Sequence, residues 1–115
     1  MLDKNRMNAS DSLKFLRDVF KQKEIANPIF TDERFFIWSA SSTPDKHHYG
    51  DNGLVIHTAE VVNLCLSNNI LLNSKIDEYK LACAALYHDV GKIWDYSKID
   101  GVWTSTDHKY KIHHI

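Results

Sequence analysis

The sequence has little cysteine, no surplus of charge and no long apolar run, and each shortage narrows what the protein can be. Only Cys65 and Cys83 occur. Each sits in an apolar stretch of helical pattern, far from the other in sequence, which predicts free buried thiols in a reducing compartment. Fourteen basic side chains face fifteen acidic ones, a formal net charge of −1 with His neutral. That balance exerts no global pull on nucleic acid or an acidic membrane surface, and leaves room only for a local basic groove. No stretch approaches the ~20 apolar residues of a membrane span, and the polar start Met1-Leu2-Asp3-Lys4-Asn5-Arg6 leads into no signal-peptide core. These absences predict a cytoplasmic protein with no membrane association. Low-complexity segments, internal repeats and composition breaks are also lacking, so the 115 residues read as a single domain, 1–115.

What is present in quantity is histidine. Seven His is a high count for this length, and four form the doublets His47-His48 and His113-His114. His is the commonest metal ligand and the acid–base group of physiological pH, so the excess favours a site. The remaining composition, 43% apolar and 25% charged, is ordinary for a globular chain.

Residues 1–9 are polar and predicted to fray. Ser10 or Asp11 can cap an amphipathic helix with Leu13, Leu16, Val19 and Phe20 on its apolar face. Asn27-Pro28 interrupts that pattern, and Thr31 is placed to cap a second helix with Asp32 and Glu33 in its first turn. Phe35, Phe36 and Trp38 read as core; a platform for stacking on a base is the alternative. After the turn-rich Ser39–Pro44 stretch, Gly50 and Gly53 mark a loop that needs unusual backbone angles or close approach. A helical pattern then runs from about Leu54 with Val55, Ile56, Ala59, Val62 and Leu66 on one face, and His57 at its edge. Asn73-Ser74 is expected to cap a further helix from about Ile76 through Leu86. Beyond Lys92, two runs rich in aromatic and β-branched residues flank Asp100-Gly101, which predicts a small exposed β-hairpin.

The chain is organised around Leu81–Lys92. There an apolar helical run delivers His88 and Asp89 directly into the interior or its rim. Burying a carboxylate beside an imidazole is costly unless something pairs with them. A divalent cation is an economical partner, since imidazole nitrogen and carboxylate oxygen are both good ligands. Neighbouring helical residues point about 100° apart, so both reach one ion only if it lies past the helix end or between their directions, which a pair in the last turn allows.

His88-Asp89-Val90-Gly91-Lys92 resembles the namesake motif of the HD superfamily of metal-dependent phosphohydrolases. The stretch His47-His48-Tyr49, Gly53-Leu54, His57-Thr58 is similar to the His-His-x-Tyr-x-Gly-Gly-Leu-x-x-His-Thr pattern of a narrower branch. That branch includes the HD domains of bacterial 3′→5′ exoribonucleases and related relaxase-associated domains. The resemblance spans roughly residues 30–115. It implies an all-α fold, an HD-domain helical bundle with a small β-hairpin inserted after the His-Asp motif. It also implies a metal set of His57, His88, Asp89 and His114, with Asp89 able to bridge where two ions bind. Lys92 corresponds to the Lys near the scissile phosphate, and His47 or His48 would line the pocket and touch a phosphate or stabilise the loop. This sequence has Asn52-Gly53 where the family has Gly-Gly, a tolerable change because Asn also visits left-handed conformations. Family members carry another His and a final Asp on helices beyond Ile115, so the resemblance implies a C-terminally incomplete copy.

The function implied is a metal-dependent phosphomonoesterase or phosphodiesterase acting on a nucleotide or a nucleic-acid end. One or two divalent ions (Mn, Fe, Co, Ni, Zn or Mg) would be the cofactor, with Asp89 and Lys92 as the catalytic side chains. Single-stranded nucleic acid is a further candidate partner through Lys109, Tyr110 and Lys111. The alternative is an incomplete HD-like domain that binds metal or nucleotide without turnover, since three protein ligands leave open positions on an ion.

Overall fold

The computed structural model describes residues 7–20, 27–42, 48–73 and 75–106. The expected roles of His47, His114, Lys109, Tyr110 and Lys111, and of Ser74 as a cap, lie outside the described residues. The chain is mostly helical with one small antiparallel sheet, in the order α1 (Ala9–Val19), α2 (Asn27–Phe30), α3 (Glu33–Ile37), α4 (Gly53–Leu71), α5 (Glu78–Tyr87), α6 (Lys92–Asp95), β1 (Tyr96–Ile99) and β2 (Val102–Ser105). This agrees with the expected all-α class carrying a small hairpin.

Helix α4 is the centre, packed against α1, α3 and α5. Leu54, Val55, Ala59 and Val62 recur along its inner side at one-turn spacing and are fully buried. They meet Leu16 and Phe20 from the α1 segment, Phe35 from α3, and Ala82, Ala85 and Leu86 from α5 in one apolar cluster. Burying a side chain of the Leu or Phe class contributes about 1.5–3 kcal/mol, so this cluster fixes how the helices sit. By length and a mean hydropathy of 1.2, α4 also reaches the range of a membrane span, which the sequence reading did not expect. A helix at the centre of a core passes the same test, and α4 carries Glu60 and His57 within its length.

Several boundaries differ from expectation by a residue or more, each for a capping reason. Asn8, ahead of Ser10 and Asp11, caps α1 by accepting from the Asp11 N–H at 2.8 Å. Asp32, one past Thr31, caps α3 and accepts from Arg34 N–H at 2.9 Å. Asp77 caps α5 by accepting from Lys80 N–H, so that helix begins two residues later than read. In each case a side-chain oxygen reaches an otherwise unpaired first-turn donor.

The connection from α3 into α4 reverses the chain tightly. Asn52 sits at φ 68° in the left-handed region, and its side-chain amide donates to Phe36 O at 2.7 Å. Asn52 N–H and Leu54 N–H donate to Ile37 O and Trp38 O, both at 2.8 Å. The spare carbonyls at the end of α3 are thus satisfied by the start of α4.

The hairpin forms where expected, with Asp100 and Gly101 both at positive φ, the backbone of a two-residue primed turn. Two details differ. Ile93-Trp94-Asp95 belongs to the short helix α6 rather than to a strand. The hairpin is also docked on one face rather than exposed: Trp103 is only 2% accessible and packs edge-on against Trp38, with ring centroids 5.1 Å apart. Trp103 Nε1–H and Lys98 Nζ both donate to Asp51, and Trp38 Nε1–H donates to Tyr96 O. The hairpin therefore clamps the connection that leads to His57.

Candidate metal centre

Two helices and a turn bring three of the expected ligands together. His57 projects from the second turn of α4, whose entry is fixed by the α3 carbonyls. His88 is the C-cap of α5, and Asp89 follows immediately outside the helix. There the chain turns through Val90-Gly91 into α6, and Lys92 N–H returns to Asp89 O at 3.0 Å.

The geometry is tight. His57 Nε2 and His88 Nε2 each lie 2.9 Å from Asp89 Oδ2, and the three ligand atoms fall within 4.8 Å of one another. Asp89 is 4% exposed, whereas the two imidazoles are partly open, the His88 side chain by 40%. The cluster therefore has a buried carboxylate floor and an accessible rim. Burial alone would push the Asp89 carboxyl up; the hydrogen bond from His57 and the charges of Lys92 and His88 outweigh it and hold the group down at about 2.

The tautomer of His88 gives the cluster its chemical character. Its Nδ1 lies 2.7 Å from Ala85 O, an atom that can only accept, so Nδ1 carries a proton. In the neutral ring, Nε2 then carries the lone pair, and it lies 2.9 Å from Asp89 Oδ2. A ring nitrogen tied to a backbone carbonyl with the other nitrogen facing outward is the usual arrangement of a metal-ligating His. The group His57, His88 and Asp89 could hold a metal ion.

Lys92 stands at the edge of this cluster. Its ammonium donates to Ala40 O at 2.9 Å and lies 3.6 Å from Asp89 Oδ2. His48 is also close, its ring centroid 5.1 Å from that of His57, but its Nε2 is engaged 2.8 Å from Glu60 Oε1. His57, His88, Asp89, Lys92 and His48 are thus gathered in one place. His47 and His114 lie outside the described residues.

The sequence reading missed Glu60. A signal was available: Glu60 is the only Asp, Glu, Lys or Arg in all of α4. It lies three residues after His57, on the same face of the helix. A lone charge on a core helix one turn from a candidate ligand has a reason to be there.

No family model, curated protein or solved structure matches this chain.

Proposed function

We propose that this chain is an HD-type, metal-dependent phosphohydrolase domain that cleaves a phosphomonoester or phosphodiester of a nucleotide or a nucleic-acid end. The observation that supports it is the convergence of His57 Nε2 and His88 Nε2 on one buried Asp89 oxygen at 2.9 Å, with the Lys92 ammonium beside them. The motif His88-Asp89-Val90-Gly91-Lys92 and the earlier His57 are the residues that resemble the family, and they meet in space.

His57, His88 and Asp89 would hold the divalent ion. When bound, such an ion lowers the pKa of water toward neutrality and draws charge from phosphoryl oxygens. Asp89 orients the attacking water toward phosphorus. Lys92, with one N–H fixed on Ala40 O, directs positive charge at the phosphoryl group and stabilises the charge that builds in the transition state. The water oxygen forms the new P–O bond, the ester P–O bond breaks, and the leaving oxygen takes up a proton. The accessible His88 rim provides the side from which a phosphoester enters.

Purified protein would be assayed with Mn2+, Co2+, Ni2+, Zn2+ and Mg2+ on p-nitrophenyl phosphate, bis-p-nitrophenyl phosphate, mononucleotides and short single-stranded oligonucleotides. Metal-dependent hydrolysis that disappears in His88→Ala and Asp89→Ala is the expected result. Unchanged metal content or unchanged hydrolysis in either variant defeats the proposal. The second reading, a domain that binds metal or nucleotide without turnover, is favoured by the three-residue ligand group; bound metal with no hydrolysis of any substrate would select it.

A further inference from the structure

The pair His48–Glu60 stands outside the three-ligand group and is built with as much constraint. We propose that Glu60 is a positioning residue: by holding His48 it fixes the ring that packs against His57, and so sets how tightly and in what geometry the cluster holds its ion. This rests on the metal-centre reading given above.

Three observations carry it. First, the pair is committed. The His48 side chain is 3% exposed with Nε2 2.8 Å from Glu60 Oε1. Because Glu60 lies one turn beyond His57 on α4, His48 is anchored to the same helix that carries the ligand.

Second, the backbone at His48 is held in a conformation few side chains adopt, φ 66°. Its carbonyl accepts from Ala40 N–H at 3.2 Å and lies so close to Gly53 that a Cβ there would collide with it. Ala40 in turn accepts from Lys92 Nζ through its own carbonyl. A left-handed, non-glycine residue fixed from several sides is the pattern of strain retained at a functional site.

Third, His57 needs an external brace. His88 is held by the Ala85 carbonyl on its Nδ1, but among the described residues His57 Nδ1 has no such hydrogen bond. The second torsion of an imidazole is soft, so rotation would swing Nε2 away from Asp89. The neighbouring rings of His48 at 5.1 Å, tilted by 56°, and His88 at 6.0 Å restrict that rotation. The His48 ring is in turn held by the Glu60 carboxylate.

The test uses the full chain and Co2+ as a spectroscopic probe. Co2+ is titrated into wild type, Glu60→Gln, His48→Asn and the double variant, with visible ligand-field absorption recorded and affinity read by Zn2+ competition. Asn removes the imidazole while keeping tolerance for the left-handed backbone. We expect Glu60→Gln to weaken Co2+ binding roughly tenfold, the lower end for partners that orient a metal ligand, and to alter the absorption bands. His48→Asn should do the same, and the double variant should be no worse than either single one, because the two residues act as a unit. Wild-type affinity and spectrum in folded Glu60→Gln overturn the positioning role. Should that variant not fold, folded His48→Asn with unchanged affinity and spectrum overturns it equally. A wild-type chain that takes up no Co2+ removes the metal-centre reading itself, an outcome separate from a metal-binding protein indifferent to these substitutions.

Discussion

His88 and Asp89 are neighbours in sequence whose side chains nonetheless come within 2.9 Å, Nε2 to Oδ2, at the C-terminal end of α5. The dipeptide thus offers two ligand atoms at one point, and His57 arrives at that point from α4.

Metal should stabilise the fold through this point. A ligand present at 100 times its Kd adds about 2.7 kcal/mol to the folded state. Wild type should therefore melt several degrees higher with saturating Zn2+ or Mn2+ than with a chelator, as followed by circular dichroism. Asp89→Asn should abolish that difference. An equal metal-dependent rise in the variant would place the ion elsewhere.

Acid should expose the Asp89 contribution with a definite sign. Its folded pKa is lowered to about 2 from an ordinary value of 3.8, with burial opposing and the His57 hydrogen bond, Lys92 and His88 prevailing. A depressed carboxyl contributes stability above its unfolded pKa and loses it as pH falls through the folded value. In chelator, the stability of wild type relative to Asp89→Asn should be greatest above pH ~4.5 and shrink toward pH ~2. Urea midpoints across that window measure it; a gap that stays constant would mean that Asp89 is not held down.

Gly53 is replaceable by nothing larger. A Cβ there would collide with the His48 carbonyl. Overpacking of this kind typically costs about 1–3 kcal/mol, and with backbone as the obstacle Gly53→Ala should fall at or above the upper end. Urea denaturation would show it, and a loss under about 0.5 kcal/mol, the range of neutral surface changes, would mean that the loop moves freely.

The hairpin should depend on one Trp and not the other. Trp103 is buried against Trp38 and donates to Asp51, so Trp103→Ala should cost about 3–5 kcal/mol. Trp94 is 51% exposed, with the Arg34 guanidinium 6.0 Å above its ring. Trp94→Ala should cost about 1 kcal/mol or less, the scale of an exposed cation–π contact. Thermal melts of the two variants decide the order.

Local rules written into the chain determined much of this molecule. The spacing of Leu54, Val55, Ala59 and Val62 makes the buried side of α4, and Asp100-Gly101 makes the turn of the hairpin, because both depend on residues close in sequence. The same local reading put His88 and Asp89 at a helix end and marked Gly53 for close approach. Helix starts were less legible: Ser10, Thr31 and Asn73 were plausible caps, and small differences in register selected Asn8, Asp32 and Asp77 instead. What only the tertiary structure decided is which side chains face each other across elements. His57 meets Asp89 over 32 residues, His48 meets Glu60 across the loop and Lys92 meets Ala40 over 52. Those pairings have no period or propensity behind them. They follow from packing α5 against α4 and docking the hairpin on the loop between α3 and α4, where apolar burial sets distances that the polar groups then exploit.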